Sequence, residues 1–227
     1  MGVIYLVRHG QADSGAYGID SGAPAPNGPG GLTDLGVVQA KLTGALLSSL
    51  TGRVTAAISG DLARQQQTLA DVLSAFDDAP TPIVDAAWNE YELPALVGTA
   101  SPQEYADGRA YQQRLDAGLA EWITHSGETV GGETYAEFRS RIADAAARAT
   151  ELAGSGQTVL VVSSAGSITQ LLAQLWKVPD EQWPVMSRTM VNASVTKLLV
   201  GRSGVTVVSV NEHAHLADRD GGVATFR

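Results

Sequence analysis

Arg8 and His9 stand together at the end of an apolar run, VIYLVRHG, from Val3 to Gly10. A guanidinium grips planar oxyanions in a two-pronged fork, and a neutral imidazole nitrogen beside it can attack or shuttle a proton. The pair points to anion chemistry, with a strand that simply ends in a solvated Arg-His pair as the plain structural alternative. Arg64 and Thr68 fall in SGDLARQQQT, where an apolar strand gives way to a helix. Two carboxylates, Glu90 and Glu92, lie in WNEYEL, and either is a candidate general acid and base. Ser163 and Ser164 follow a third apolar strand in TVLVVSSAG, where Ser164 also reads as a helix N-cap.

These residues need elements to bring them together. Val3–Gly10, Val54–Ser59 and Thr158–Ser163 read as buried strands, each ending in polar residues and a glycine or helix start. If they are parallel neighbours, Arg8, His9, Arg64 and Ser164 converge at one edge, where open α/β sheets place their ligands. A helix from Thr33 to Leu50 is predicted to bury Leu35, Val38, Leu42, Leu46 and Leu50, with Thr33 or Asp34 as cap. The next helix, capped by Asp61, places Leu69, Val72, Leu73 and Phe76 inward, and a short strand follows around Ile83. Ser101-Pro102-Gln103-Glu104 is a capping box that opens a helix to about Ile123, ended by His125, and another helix runs from Glu133 to about Ala153. It turns Phe138, Ile142, Ala145, Ala149 and Leu152 inward. After the third strand a helix reaches Trp176, and Val195–Val200 and Val205–Val210 form a hairpin.

The alternation predicts an α/β three-layer sandwich, a mostly parallel mixed sheet between helices, in one domain over residues 1–227. Residues 80–135 form a helical insertion. The Gly/Pro-dense stretch 14–31 is a long loop beside the Arg8-His9 end, and His213–Arg227 is a polar tail over the surface. A formal charge of −9 and a pI near 4.8 argue against a nucleic-acid partner, yet allow a small phosphorylated ligand in a local cationic pocket. No apolar run reaches membrane-spanning length, no signal peptide is visible, and the lack of cysteine fits a cytoplasmic setting.

RHG at 8–10, LTDLG at 32–36, SGDLARQQQT at 59–68, the glutamate of WNE, GGET at 131–134 and VNAS at 191–194 together resemble the histidine phosphatase, or phosphoglycerate mutase-like, superfamily. The resemblance covers nearly the whole chain. It implies a phosphoglycerate mutase-like α/β sandwich that acts on a small phosphorylated substrate, needs no metal or nucleotide cofactor, and transiently phosphorylates His9. On that reading Arg8 and Arg64 clamp the phosphoryl oxygens, and Glu90 is the proton donor, preferred over Glu92 because it matches the family's leucine-x-glutamate position. The family reads serine-histidine-glycine after the third strand, where this chain has Ser163-Ser164-Ala165-Gly166. Losing one preorganised donor costs on the order of 10²–10³ in rate. Three outcomes stay open: a slow phosphatase, a site rescued by Arg188, His213 or His215, and a phospho-ligand-binding protein without catalysis. A mutase is a further reading by homology. A serine hydrolase built on Ser164 is a weaker one, because it leaves Arg8, His9 and Arg64 without a task. The oligomeric state is not legible in the sequence.

Overall fold

The computed structural model describes residues 1–19, 25–98, 107–125, 130–217 and 222–226. Six strands form one mixed sheet in the order β3-β2-β4-β1-β5-β6: β1 (Gly2–Arg8), β2 (Ala56–Ser59), β3 (Pro82–Val84), β4 (Thr158–Ser163), β5 (Val195–Gly201) and β6 (Gly204–Glu212). The first four are mutually parallel, and β5 and β6 form an antiparallel hairpin against β1. Register pairs Arg8 with Ser163 and Ser59 with Val162, so three strands end side by side. The expected α/β sandwich with its convergent strand ends is what the chain forms.

Alternate residues of each central strand serve opposite faces. Ile4, Leu6, Val159 and Val161 pack with Phe138 and Ile142 of α5 (Tyr135–Leu152) and Ile168 and Leu172 of α6 (Ala165–Trp176). Tyr5, Val7, Leu160 and Val162 pack on the other side with Leu47 of α1 (Asp34–Thr51) and Leu69 and Val72 of α2 (Ala63–Leu73). Between β3 and α5 lie α3 (Leu93–Val97) and α4 (Gly108–Thr124), and α7 (Trp183–Ser187) follows α6. The Ser101–Glu104 capping box lies outside the described residues. Helix α5 begins instead with a full capping box of its own, Thr134 with Glu137.

Helix α1 runs almost as expected, with Thr33 accepting from the Gly36 N–H, but it buries a different face. Gly36, Gln39, Ala40, Thr43, Gly44 and Leu47 point inward, while Val38, Leu42 and Leu50 are exposed. The cause is close backbone approach. A Cβ at Gly36 would collide with the Gln11 carbonyl, and one at Gly44 with that of Val72. Small residues thus win the buried face over larger apolar ones. Leu152 of α5 is likewise exposed.

Two further expectations are corrected. Asp61 does not cap α2: its carboxylate accepts from Asn89 Nδ2 at 2.6 Å and its N–H donates to Asn89 Oδ1 at 2.9 Å, leaving Leu62 as the cap residue. The C-terminal stretch is more than a surface tail. Leu216 is buried, Gln39 donates to the Val223 carbonyl, and the Thr225 carbonyl accepts from the Asn192 N–H.

Candidate active site

The end of β1 is fixed by contacts from three directions. The His9 N–H donates to the Ser163 carbonyl, the Gly10 N–H to Thr68 Oγ1 at 3.0 Å, and Asn192 Nδ2 to the His9 carbonyl at 3.1 Å. Thr68 lies one α2 turn beyond Arg64, and Asn192 belongs to the VNAS stretch just before β5. These stretches therefore act as backbone clamps on the Arg8-His9 turn.

Clamping fixes the imidazole's protonation pattern. His9 Nδ1 lies 2.7 Å from the Gly10 carbonyl, which can only accept, so Nδ1 carries the hydrogen. Nε2 is left with its lone pair and accepts from Arg64 Nε at 3.2 Å. Burial, then the charges of Arg64 and Arg8, push the His9 pKa well below its usual value, so the ring is neutral at pH 7.

Arg8 and Arg64 are only 5% and 8% exposed. Among the described residues neither has a carboxylate in ion-pair contact, so two largely desolvated guanidinium groups line the cavity beside His9. Arg8 Nη1 donates to the Met190 carbonyl and, at 2.8 Å, to that of Phe226, while its Nε has no partner among the described residues. Buried cations without carboxylate partners make this cavity the candidate anion site of the chain.

Glu90 reaches the same cavity from the irregular segment before α3. Its Oε2 accepts from the Gly166 N–H at 2.8 Å, in the first turn of α6. A Cβ at residue 166 would collide with Glu90 Oε1, so the carboxylate's berth requires glycine. The segment is pinned through successive carbonyls. Ala87 and Asn89 accept from Arg141 Nη1, Trp88 accepts from Ser163 Oγ and Gln65 Nε2, and Asn89 accepts also from Ser167. Arg141 is oriented by a forked pair to Glu133 at 2.6 and 2.7 Å. Burial raises the Glu90 pKa, against the restraining pull of the Gly166 N–H and Arg64. Glu92, two residues on, is exposed on the cavity wall.

Arg8, His9, Arg64, Glu90 and Arg188 thus line one cavity of about 410 Å³. Ser164 does not line it: its hydroxyl is buried and accepts from Gln65 Nε2 at 2.9 Å, and it caps α6 by position without a side-chain bond. Arg188 is tied to Asp116 at 2.8 Å. His213 bonds the Asn211 carbonyl, and His215 lies against Thr43 of α1 at 2.8 Å, both away from the cavity.

Several residues here escape notice in the sequence. Tyr17, at the end of a 3₁₀ turn (Ser14–Tyr17) in the Gly/Pro stretch, places its ring 6.0 Å from the Arg64 guanidinium, and beside Arg8 it partly offsets the lowering of that side chain's pKa by burial. Phe226 closes the cavity from the C-terminal end. Arg141 and Gln65 hold the Glu90 segment. Their partners lie far off in sequence, so spacing carries no signal for them.

The chain is similar to known proteins in sequence and in fold. Over 183 residues the chain is 27% identical to a 2,3-bisphosphoglycerate-dependent phosphoglycerate mutase of Xanthobacter autotrophicus, covering 79% of this chain and 83% of that one. A mycobacterial glucosyl-3-phosphoglycerate phosphatase has a similar fold, with a TM-score of 0.64 at 23% identity, covering 93% and 99% of the two chains. So does an Entamoeba histolytica phosphoserine phosphatase variant, with a TM-score of 0.68 at 16% identity over 96% and 100%. Bacillus stearothermophilus YhfR gives a TM-score of 0.69 at 20% identity over 94% and 98%. The model of the histidine phosphatase superfamily, branch 1, matches residues 4–213, and the chain belongs to that superfamily.

Proposed function

We propose that the protein hydrolyses a small phosphate monoester through a phosphohistidine at His9. The observation that carries this reading is the lone pair on Nε2 of a His9 ring that burial keeps neutral, bonded to Arg64 in a cavity also lined by Arg8, with no carboxylate ion pair to either arginine among the described residues. A phosphoryl group entering there takes the Arg64 and Arg8 donors onto its equatorial oxygens, where its charge is spread. That draws Arg64 Nε away from His9 and frees the nitrogen to attack.

In the first step the Nε2–P bond forms and the ester P–O bond breaks, and the departing oxygen takes the proton of the Glu90 carboxyl. In the second, Glu90 as carboxylate takes a proton from water, whose oxygen attacks phosphorus. The N–P bond breaks, inorganic phosphate leaves, and neutral His9 returns. A raised Glu90 pKa suits this double duty. Hydrolysis is favoured over mutase chemistry because shielding a phosphoenzyme from water demands a complete donor set, and Ser164 offers no cationic donor to the phosphoryl group.

Quenching the enzyme in alkaline detergent after a 32P-labelled monoester should trap a base-stable, acid-labile label on His9. In His9→Ala the label and the turnover should both vanish, a loss of at least ~10⁴-fold. Unchanged hydrolysis by that variant sinks the proposal. A second reading, a phospho-ligand-binding protein without turnover, is favoured by Ser164 alone, and would show phosphate binding by calorimetry with no His9-dependent hydrolysis.

A further inference from the structure

Away from Arg8, His9 and Arg64 the cavity changes character. Tyr111 and Leu115 of α4, Pro94 of α3, Tyr17 and Phe226 make an aromatic and aliphatic wall. Tyr111 is buried and fixed, whereas Phe226 is 57% exposed, so its ring at the rim stays wet until a ligand covers it. Apolar surface of this kind, set around a few convergent polar groups, is the usual make-up of a small-molecule site.

The charges on that wall are equally informative. Among the described residues Arg188 is the one cation lining the cavity besides Arg8 and Arg64. It is held by Asp116, through Nε at 3.2 Å and Nη2 at 2.8 Å, and Asp116 accepts also from Gln112 Nε2 at 2.7 Å. Exposed Glu92 adds a negative charge to the same lining. Among the described lining residues, a leaving group bearing a carboxylate or a second phosphate would find no guanidinium beyond Arg8, Arg64 and the Asp116-bound Arg188, and would meet Glu92. A flat apolar one would lie against Tyr111, Leu115 and Phe226.

We propose that the substrate's leaving group is uncharged and presents an aromatic or extended apolar face, with Tyr111, Leu115 and Phe226 as its contacts and Glu92 as the barrier to anionic competitors. This rests on the phosphatase reading for the phosphoryl end of the cavity. It separates from that reading because leaving-group preference can be measured without turnover.

The test uses the His9→Ala protein, which cannot accept a phosphoryl group, and calorimetry with 1-naphthyl phosphate, 3-phosphoglycerate and phosphoserine. The naphthyl ester is expected to bind at least tenfold more tightly than either anionic ester. Adding Phe226→Ala should shrink that ratio several-fold, and adding Glu92→Gln should shrink it by improving the anionic esters. Equal or tighter binding of 3-phosphoglycerate or phosphoserine overturns the inference, and so does the lack of measurable binding of the naphthyl ester. Naphthyl preference without any hydrolysis by the native protein would leave this inference standing and defeat the catalytic one. Hydrolysis with a preference for 3-phosphoglycerate would do the reverse.

Discussion

Strands β1 and β4 run side by side, Arg8 opposite Ser163, and end at the same edge of the sheet, yet their ends do different work. The end of β1 turns its side chains into the cavity, with the backbone clamped, His9 Nε2 meeting Arg64 Nε, and Arg8 lining the same cavity. The end of β4 folds its hydroxyls back onto the protein: Ser163 donates to the Trp88 carbonyl, Ser164 accepts from Gln65, and only backbone remains, through Ala165 and Gly166, to line the cavity. What that backbone offers is the Gly166 N–H on Glu90. One strand end carries the proposed nucleophile, and the other, with Ser163 and Ser164 in place of an imidazole, berths the proposed acid.

The strongest way to break this division is to remove the acid. Glu90→Gln should lower kcat/KM for an alkyl phosphate by about 10²–10⁴-fold, the usual share of a positioned general acid. The loss should be much smaller for 4-nitrophenyl phosphate, whose leaving oxygen needs little protonation. The sign of the pH dependence follows from burial. The first step needs the protonated carboxyl, so native kcat/KM should fall as pH rises through the raised Glu90 pKa, and that limb should disappear in the variant. No opposing limb from His9 is expected near neutrality, because its pKa is held well below the usual value and the ring is already neutral. Equal losses for both leaving groups would remove Glu90 from the acid's role.

A smaller effect should come from the berth itself. Gly166→Ala puts a methyl group where Glu90 Oε1 lies, so the carboxylate must shift, and misplacement by about 1 Å costs roughly 10²-fold in well-oriented reactions. Because the proposed phosphate clamp, Arg8 and Arg64, sits on β1 and α2, affinity for inorganic phosphate should change less than twofold while kcat falls. A parallel loss of phosphate affinity would mean that the two strand ends are not separable.

Which parts of this were legible in the sequence follows from the range of the forces involved. Apolar runs mark β1, β2 and β4, because a strand buried on both faces has to be apolar throughout, and the glycine turn between two strands marks the β5–β6 hairpin. The convergence of Arg8, His9 and Arg64 follows once those strands are parallel. The inward face of α1 does not, since Gly36 and Gly44 win it through backbone contacts with Gln11 and Val72 that no helical periodicity records. Nor does the role of Arg141, which reaches the carbonyls of Ala87 and Asn89 more than fifty residues back. The tail from His213 reads as surface by composition, yet the Phe226 carbonyl meets Arg8, a main-chain contact to which the side-chain sequence is blind.

The finest discrimination is Ser164→Ala. If the β4 end acts only through Gly166, the hydroxyl has a structural task, accepting one hydrogen bond from Gln65 Nε2, which keeps the Trp88 carbonyl as a second partner at 3.2 Å. Loss of one such bond costs about 1 kcal/mol, a fall in Tm of roughly 2–4 °C for a chain of this size. Activity should change less than about threefold, since Glu90 and its Gly166 berth are untouched. A hydroxyl that donates to the phosphoryl group in the transition state would behave in the opposite way: kcat would drop by about 10²–10³-fold with Tm hardly moved. Measured together, the melting curve and the rate separate the two cases, and a large kinetic loss at constant stability would make the two strand ends partners in the same phosphoryl site.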